Sequence, residues 1–145
     1  MAGLGFDDEM PRVISAKAHS IIDYIHAGTN FAAAVLFRKS NTRASNAAFA
    51  LGAGVLVNTL MTDYPLGIFR LYSFKVHGIL DYGTAAASAM LPLLLGISDT
   101  PQAAFFNLQG AGETLIAGIS DYDDDSGSRW QEHIDNRRFE SGRAA

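Results

Sequence analysis

Cysteine is missing from this chain, which excludes a disulfide framework, thiolate metal ligands and a cysteine nucleophile. The same absence rules out the Cys-x-x-Cys-His attachment of a covalent haem. Basic character is scarce as well. The net charge is −4 and Lys and Arg form no continuous patch, so nucleic acid is not an expected partner. The first residues carry Asp7, Asp8 and Glu9 where a signal peptide has a basic segment and an apolar one, so a cleaved signal is not expected. Catalytic signatures are lacking too: there is no Gly-x-Ser-x-Gly elbow, no phosphate-binding loop and no inferable Ser-His-Asp set. An enzyme is not indicated. Asp121, Asp123, Asp124 and Asp125 lack the Gly and terminal Glu of a calcium loop and read as a solvated acidic linker.

What is present is segregated. Four apolar stretches, 15–37, 44–62, 74–97 and 101–120, are rich in Ala, Leu, Ile and Gly and hold no internal Arg. Each approaches the roughly twenty residues that cross a ~30 Å hydrocarbon core. The expectation is an all-α protein, a four-transmembrane-helix bundle in a lipid bilayer. A soluble Ala-rich bundle is the alternative, but it needs a polar outer face on every helix, and 47–57 and 85–97 have none. The short links Arg38 to Arg43 and Ser98 to Pro101 favour antiparallel neighbours. The longer link from Asp63 to Phe74 holds Tyr64, Pro65, Gly67, Phe69 and Tyr72, which suits a turn at a membrane interface.

The chain thus divides into a polar segment 1–14, a membrane domain 15–122 and a polar tail 123–145, with a short helix expected around Arg129 to Phe139. Arg12, Lys17, Arg70 and Lys75 lie on the side of the termini, with the tail arginines beyond, against Arg38, Lys39 and Arg43 opposite. The excess predicts both termini in the cytoplasm.

A repeat underlies this pattern. Shifting the chain by 58 residues lays SAKAHSIIDY (15–24) over SFKVHGILDY (73–82), and with no gap lays Gly52-Ala53-Gly54 over Gly110-Ala111-Gly112 and Asp63-Tyr64 over Asp121-Tyr122. Of the fifty positions from Ser15 to Tyr64, fifteen are identical in the second copy. The chain is therefore two tandem two-helix repeats, 15–64 and 73–122, which predicts a pseudo-twofold axis along the membrane normal. Gly52, Gly54, Gly110 and Gly112 are expected to let helix backbones approach closely.

These residues resemble the Ser-Pro-Trp (SPW) repeat family of small bacterial membrane proteins. Lys17, His19, Asp23 and Tyr24 match its basic-His-Asp-Tyr helix start, as do His77 and Asp81, with Pro92 to Gly96 at the end of that span. Thr62, Asp63, Tyr64, Leu66, Gly67 and Arg70 match its Thr-Asp-Tyr-x-Leu-Gly-x-x-Arg segment. The naming tripeptide is absent: Leu91-Pro92-Leu93 and Ala33-Ala34-Val35 stand in its two places. The resemblance implies a four-helix protein of the bacterial inner membrane. It carries no established activity.

Polar stripes run through the apolar helices. His19, Asp23, His26 and Asn30 share one helix face, and His77, Asp81, Thr84 and Ser88 repeat the spacing. Gln109, Glu113 and Ser120 mark the fourth stretch, and Asn58, Thr59 and Thr62 the second. Such groups should face one another inside the bundle.

Three readings of His19, Asp23, His77 and Asp81 follow. In the first they form a structural network, Asp23 and Asp81 pairing with Lys17, Lys75 or the histidines, with Ser15 and Ser73 as helix N-caps. In the second, His19 and His77 ligate a non-covalent b-type haem, or the four residues hold a divalent metal, with His26 and Glu113 outside them. In the third, the stripe is a proton, ion or small-solute path with Glu113 as its central group; Glu113 has no repeat partner, because Val55 stands there. Asp63 and Asp121 return to the same surface as the His-Asp pairs. Service as an accessory subunit, docked in a larger membrane complex or in a homo-oligomer, is a further expectation.

Overall fold

A computed structural model describes residues 11–129. It is all-α, with four helices: α1 (Ala16–Phe37), α2 (Thr42–Met61), α3 (Phe74–Leu94) and α4 (Pro101–Ile119). The boundaries follow local chemistry. Ser15 and Ser73 adopt the same backbone conformation, φ −69° and ψ 160°, and each accepts a hydrogen bond from the backbone three residues on, at Ala18 and Val76. Those bonds satisfy donors that a helix start otherwise leaves unpaired. Asn41 does the same for α2 through the N–H of Ala44, and Pro101, which has no N–H to lose, opens α4. The helix expected around Arg129 to Phe139 falls almost wholly outside the described residues.

Helices α1 and α2 pack along each other, as do α3 and α4, while α2 and α3 touch sparsely. The molecule is two helical hairpins side by side. Gly52 and Gly110 let each hairpin close: a Cβ on Gly52 would stand 3.0 Å from Asn30 Cβ and 3.1 Å from the Ala27 carbonyl, and one on Gly110 would stand 2.8 Å from the Ala85 carbonyl. Gly54 and Gly112 differ from expectation. A Cβ on either meets nothing within 4 Å, because these positions face clefts rather than a neighbouring backbone.

The interior is built of alanines and polar groups. Ala16, Ala44, Ala48, His19, Asn30, Thr59, His77 and Ser88 are all buried, whereas Leu36, Ile79, Leu93 and Leu108 are each more than 70% exposed. One helix, Thr42–Met61, is long and apolar enough to cross a membrane by length and composition. In α1, α3 and α4 the inward-facing His, Asp, Gln and Glu side chains lower the average although the outward faces are apolar.

The link between the hairpins holds a feature that helical periodicity does not announce. Two-residue strands β1 (Thr62–Asp63) and β2 (Tyr72–Ser73) pair in parallel, and Ile14 bridges Ser120 in the same sense, 58 residues from Tyr72 and Thr62 respectively. Gly67 is required inside this loop, since a Cβ there would stand 1.7 Å from the Thr62 carbonyl. The acidic segment after α4 is not simply solvated. Asp124 accepts the N–H of Ala16 at 2.8 Å, and Asp123 pairs with both Arg12 and Lys75.

Candidate functional site

The 58-residue repeat sets His19 and Asp23 on α1, one turn apart, against His77 and Asp81 on α3. Each carboxylate gives one oxygen to each imidazole. His19 Nε2 lies 3.3 Å from Asp23 Oδ1 and 3.2 Å from Asp81 Oδ2, and His77 Nε2 lies 3.2 Å from Asp23 Oδ2 and 3.0 Å from Asp81 Oδ1. The result is a closed ring of alternating nitrogen and oxygen, with both histidines 1% and both aspartates 6% exposed.

A second layer orients the ring. His19 Nδ1 is 2.7 Å from Ser120 Oγ, and His77 Nδ1 is 2.7 Å from Thr62 Oγ1. Each hydroxyl spends its own proton on a helix carbonyl, Ser120 on Ile116 and Thr62 on Asn58. Both hydroxyls must therefore accept from Nδ1–H, which fixes the proton at Nδ1 and aims Nε2 at the carboxylates. The carboxylates are oriented likewise: Tyr64 donates to Asp23 Oδ2 at 2.7 Å, Tyr122 to Asp81 Oδ2 at 3.0 Å, and Asn58 Nδ2 to Asp81 Oδ1 at 3.3 Å. Burial, and then the charge of the adjacent aspartate, pushes both phenols above their ordinary range, so both remain protonated donors. The two hairpins exchange the hydroxyls, since Ser120 serves His19 and Thr62 serves His77, whereas each tyrosine serves the aspartate of its own repeat.

No family model, curated protein or solved structure matches this chain. The chemistry must be read from the ring itself.

With Nδ1 protonated on both imidazoles and both aspartates ionised, the four Nε2 and carboxylate positions carry a charge of −2. Two protons or one divalent cation neutralise it. His19, Asp23 and His77 each bring a ligand atom within 4.8 Å of the others, and Asp81 closes the ring from the far side. Metal–ligand bonds of about 2.0–2.2 Å separate tetrahedral ligands by roughly 3.4 Å. The observed nitrogen–oxygen edges of 3.0–3.3 Å are close to that spacing. Haem does not fit. The imidazoles meet edge to face, centroids 5.2 Å apart at 83°, and share the same two carboxylates, whereas axial ligands must oppose each other across a porphyrin.

The other expected residues separate into two groups. His26 and Glu113 line a cleft between α1 and α4 whose wall includes ring members His19, Asp23 and Asp81. Lys17, Lys75, Asp63 and Asp121 stay outside. Among the described residues no ion pair joins Lys17 to Asp23 or Lys75 to Asp81; Lys75 turns to Asp123 at 2.7 Å. Asp63 accepts the backbone N–H of Arg129 at 2.8 Å, and Asp121 lies 3.9 Å from Arg12. Tyr64 and Tyr122 are the site residues that the polar stripes did not single out. The repeated Asp-Tyr dipeptide was the available signal, and its tyrosine rather than its aspartate reaches the ring.

Proposed function

We propose that this chain is a four-helix integral membrane protein whose His19, Asp23, His77 and Asp81 ring binds one divalent transition-metal cation. The membrane reading, with a pseudo-twofold along the bilayer normal and both termini cytoplasmic, is supported by the inverted distribution of side chains: Leu and Ile outside, His and Asp inside. The resemblance to the SPW repeat family agrees with that placement.

One observation carries the metal reading. His77 Nε2 is fully buried beside two carboxylates and still finds no aligned hydrogen-bond acceptor. A proton there is poorly directed, whereas a cation central to the donors uses the nitrogen lone pair and both carboxylates together. Two neutral imidazoles with two carboxylates suit zinc or a neighbouring first-row ion. A second reading is a clamp of two imidazolium–carboxylate pairs that locks the hairpins, favoured by edges that are ordinary N–H···O distances. In either case the ring is a buried polar link between the hairpins.

The test is elemental analysis of membrane-purified protein with a thermal melt in detergent, before and after chelation and zinc addition. One metal per chain is expected, absent from His19→Ala/His77→Ala. Zinc at a hundred times its dissociation constant should stabilise the wild type by about 2.7 kcal/mol. Metal-free protein indifferent to zinc would leave the clamp. Extraction of the chain from membranes by alkaline carbonate would overturn the membrane reading.

A further inference from the structure

The α1/α4 cleft has a volume of about 260 Å³ and is walled by Ile22, Ile25, Leu115 and Ile116. Two buried polar atoms in it have no hydrogen-bond partner, His26 Nε2 and Glu113 Oε2. Glu113 enters no ion pair among the described residues, and His19, which shares the wall, already lies between Asp23 and Asp81. A buried polar atom without a partner is costly, and a carboxylate without a counter-ion more so. The repeat provides an internal control. In the equivalent α2/α3 cleft, Leu51 stands for Gln109, Thr84 for His26, Leu80 for Ile22 and Val57 for Leu115, while Val55 holds the place of Glu113. The polar pair is thus a feature of one cleft and not a requirement of the fold.

We infer that the α1/α4 cleft binds the ammonium form of a primary amine with a short apolar body. Its N–H groups donate to Glu113 Oε2 and His26 Nε2, and its carbon chain lies against the four aliphatic residues. Glu113 Oε2, and His26 Nε2 in its Nδ1–H tautomer, together call for at least two N–H donors, which a primary ammonium has and a quaternary one lacks. The volume is below the roughly 300–1,000 Å³ of common ligand pockets, so the chain must be short. This reading does not depend on the metal site, because it uses none of the ring nitrogens.

The experiment is calorimetric titration of hexylamine, at a pH where it is protonated, into the protein in phosphatidylcholine nanodiscs, with empty nanodiscs subtracted. Saturable binding of one amine per chain is expected, one and not two because the α2/α3 cleft lacks the acceptors. Loss of a charge-assisted hydrogen bond should weaken binding about tenfold or more in Glu113→Gln. Hexyltrimethylammonium and hexanol should bind at least as much more weakly to the wild type, an arm that needs no variant to fold. If phosphatidylethanolamine nanodiscs abolish hexylamine binding, the ammonium comes from a lipid headgroup; if they leave it unchanged, from a free amine. Equal binding of hexylamine and its trimethyl analogue, or none above empty nanodiscs, overturns the proposal. Zinc content, measured in parallel, separates its failure from that of the metal reading.

Discussion

The α1/α4 and α2/α3 clefts occupy equivalent positions in the repeat and have different chemistry. One holds His26, Gln109 and Glu113 in about 260 Å³; the other puts Thr84, Leu51 and Val55 at those places and opens to about 540 Å³. The four ring residues are identical in the two repeats. The difference follows from what each position touches. His19 is bound to Asp23 in its own hairpin, and to Asp81 and Ser120 in the other, so a change there disturbs both halves. A residue such as Glu113 faces one cleft only, and its substitution leaves the rest of the frame intact. The four ring residues, shared by both hairpins, are thus identical in the two repeats, whereas the polar groups of a single cleft are not.

The tyrosines test this reasoning most severely. Tyr64 is 1% exposed and Tyr122 is half-buried, yet each donates to one ring carboxylate. Tyr64→Phe removes a hydrogen bond to a buried charge and should cost about 1.5–3 kcal/mol. Tyr122→Phe should cost less, because its longer bond is partly replaced by water and Asp81 keeps Asn58. Urea or mixed-micelle unfolding of the two variants measures both. Should zinc occupy the ring, each variant should also lower its affinity about 10–100-fold, the usual effect of losing an orienting partner. A larger loss at Tyr122 would show that the hairpins do not support the ring in the way their hydrogen bonds describe.

The glycines sharpen the comparison within each repeat. Gly110→Ala drives a methyl toward the Ala85 carbonyl and should cost about 1–3 kcal/mol, with Gly52→Ala nearer the lower end because its nearest contact is 3.0 Å against 2.8 Å and is a side-chain Cβ rather than backbone. Gly54→Ala and Gly112→Ala face open space and should be neutral or stabilise by up to about 1 kcal/mol through helix propensity. Thermal melts of the four single variants decide the matter, and destabilisation by all four would restore the expectation that every one of these glycines packs.

Much of this arrangement was legible in the sequence because the repeat is ungapped. Four apolar stretches gave helices whose ends shift by at most a few residues, and Ser15 and Ser73 cap as serines at such positions do. The spacing of His19 and Asp23 put both on one face of α1, but nothing local says that each carboxylate divides its oxygens between two imidazoles. That depends on how two hairpins meet, and helical periodicity describes one helix at a time. Lysine pairing failed as an expectation for a related reason: Lys75 is drawn to Asp123, which lies beyond α4 and 48 residues away in sequence. The parallel pairing of Thr62–Asp63 with Tyr72–Ser73 was hidden because two-residue strands carry no alternation to recognise.

The smallest effect belongs to the acidic segment that follows α4. Lys75, and then Arg12, hold the Asp123 carboxyl below its usual range. Asp124 is lowered too: its partial burial opposes this, but the Ser126 hydroxyl and the N–H groups of Ala16 and Ser126 outweigh it. A carboxylate whose folded pKa is depressed contributes stability above its unfolded value and loses it as pH falls through the folded one. Stability should therefore be level down to about pH 4 and decline below it, near and under the model-peptide value of 3.8. Asp123→Asn should remove only a slight part of that slope, since salt and solvent screen an exposed pair. Asp124→Asn should remove more, because Asp124 also satisfies the first N–H of α1, which water must otherwise reach. Melting temperatures of both variants between pH 3 and pH 7 would order them, and a steeper loss for Asp123→Asn would mean that the bridge from Arg12 to Lys75, rather than the helix start, holds the acidic segment against the hairpins.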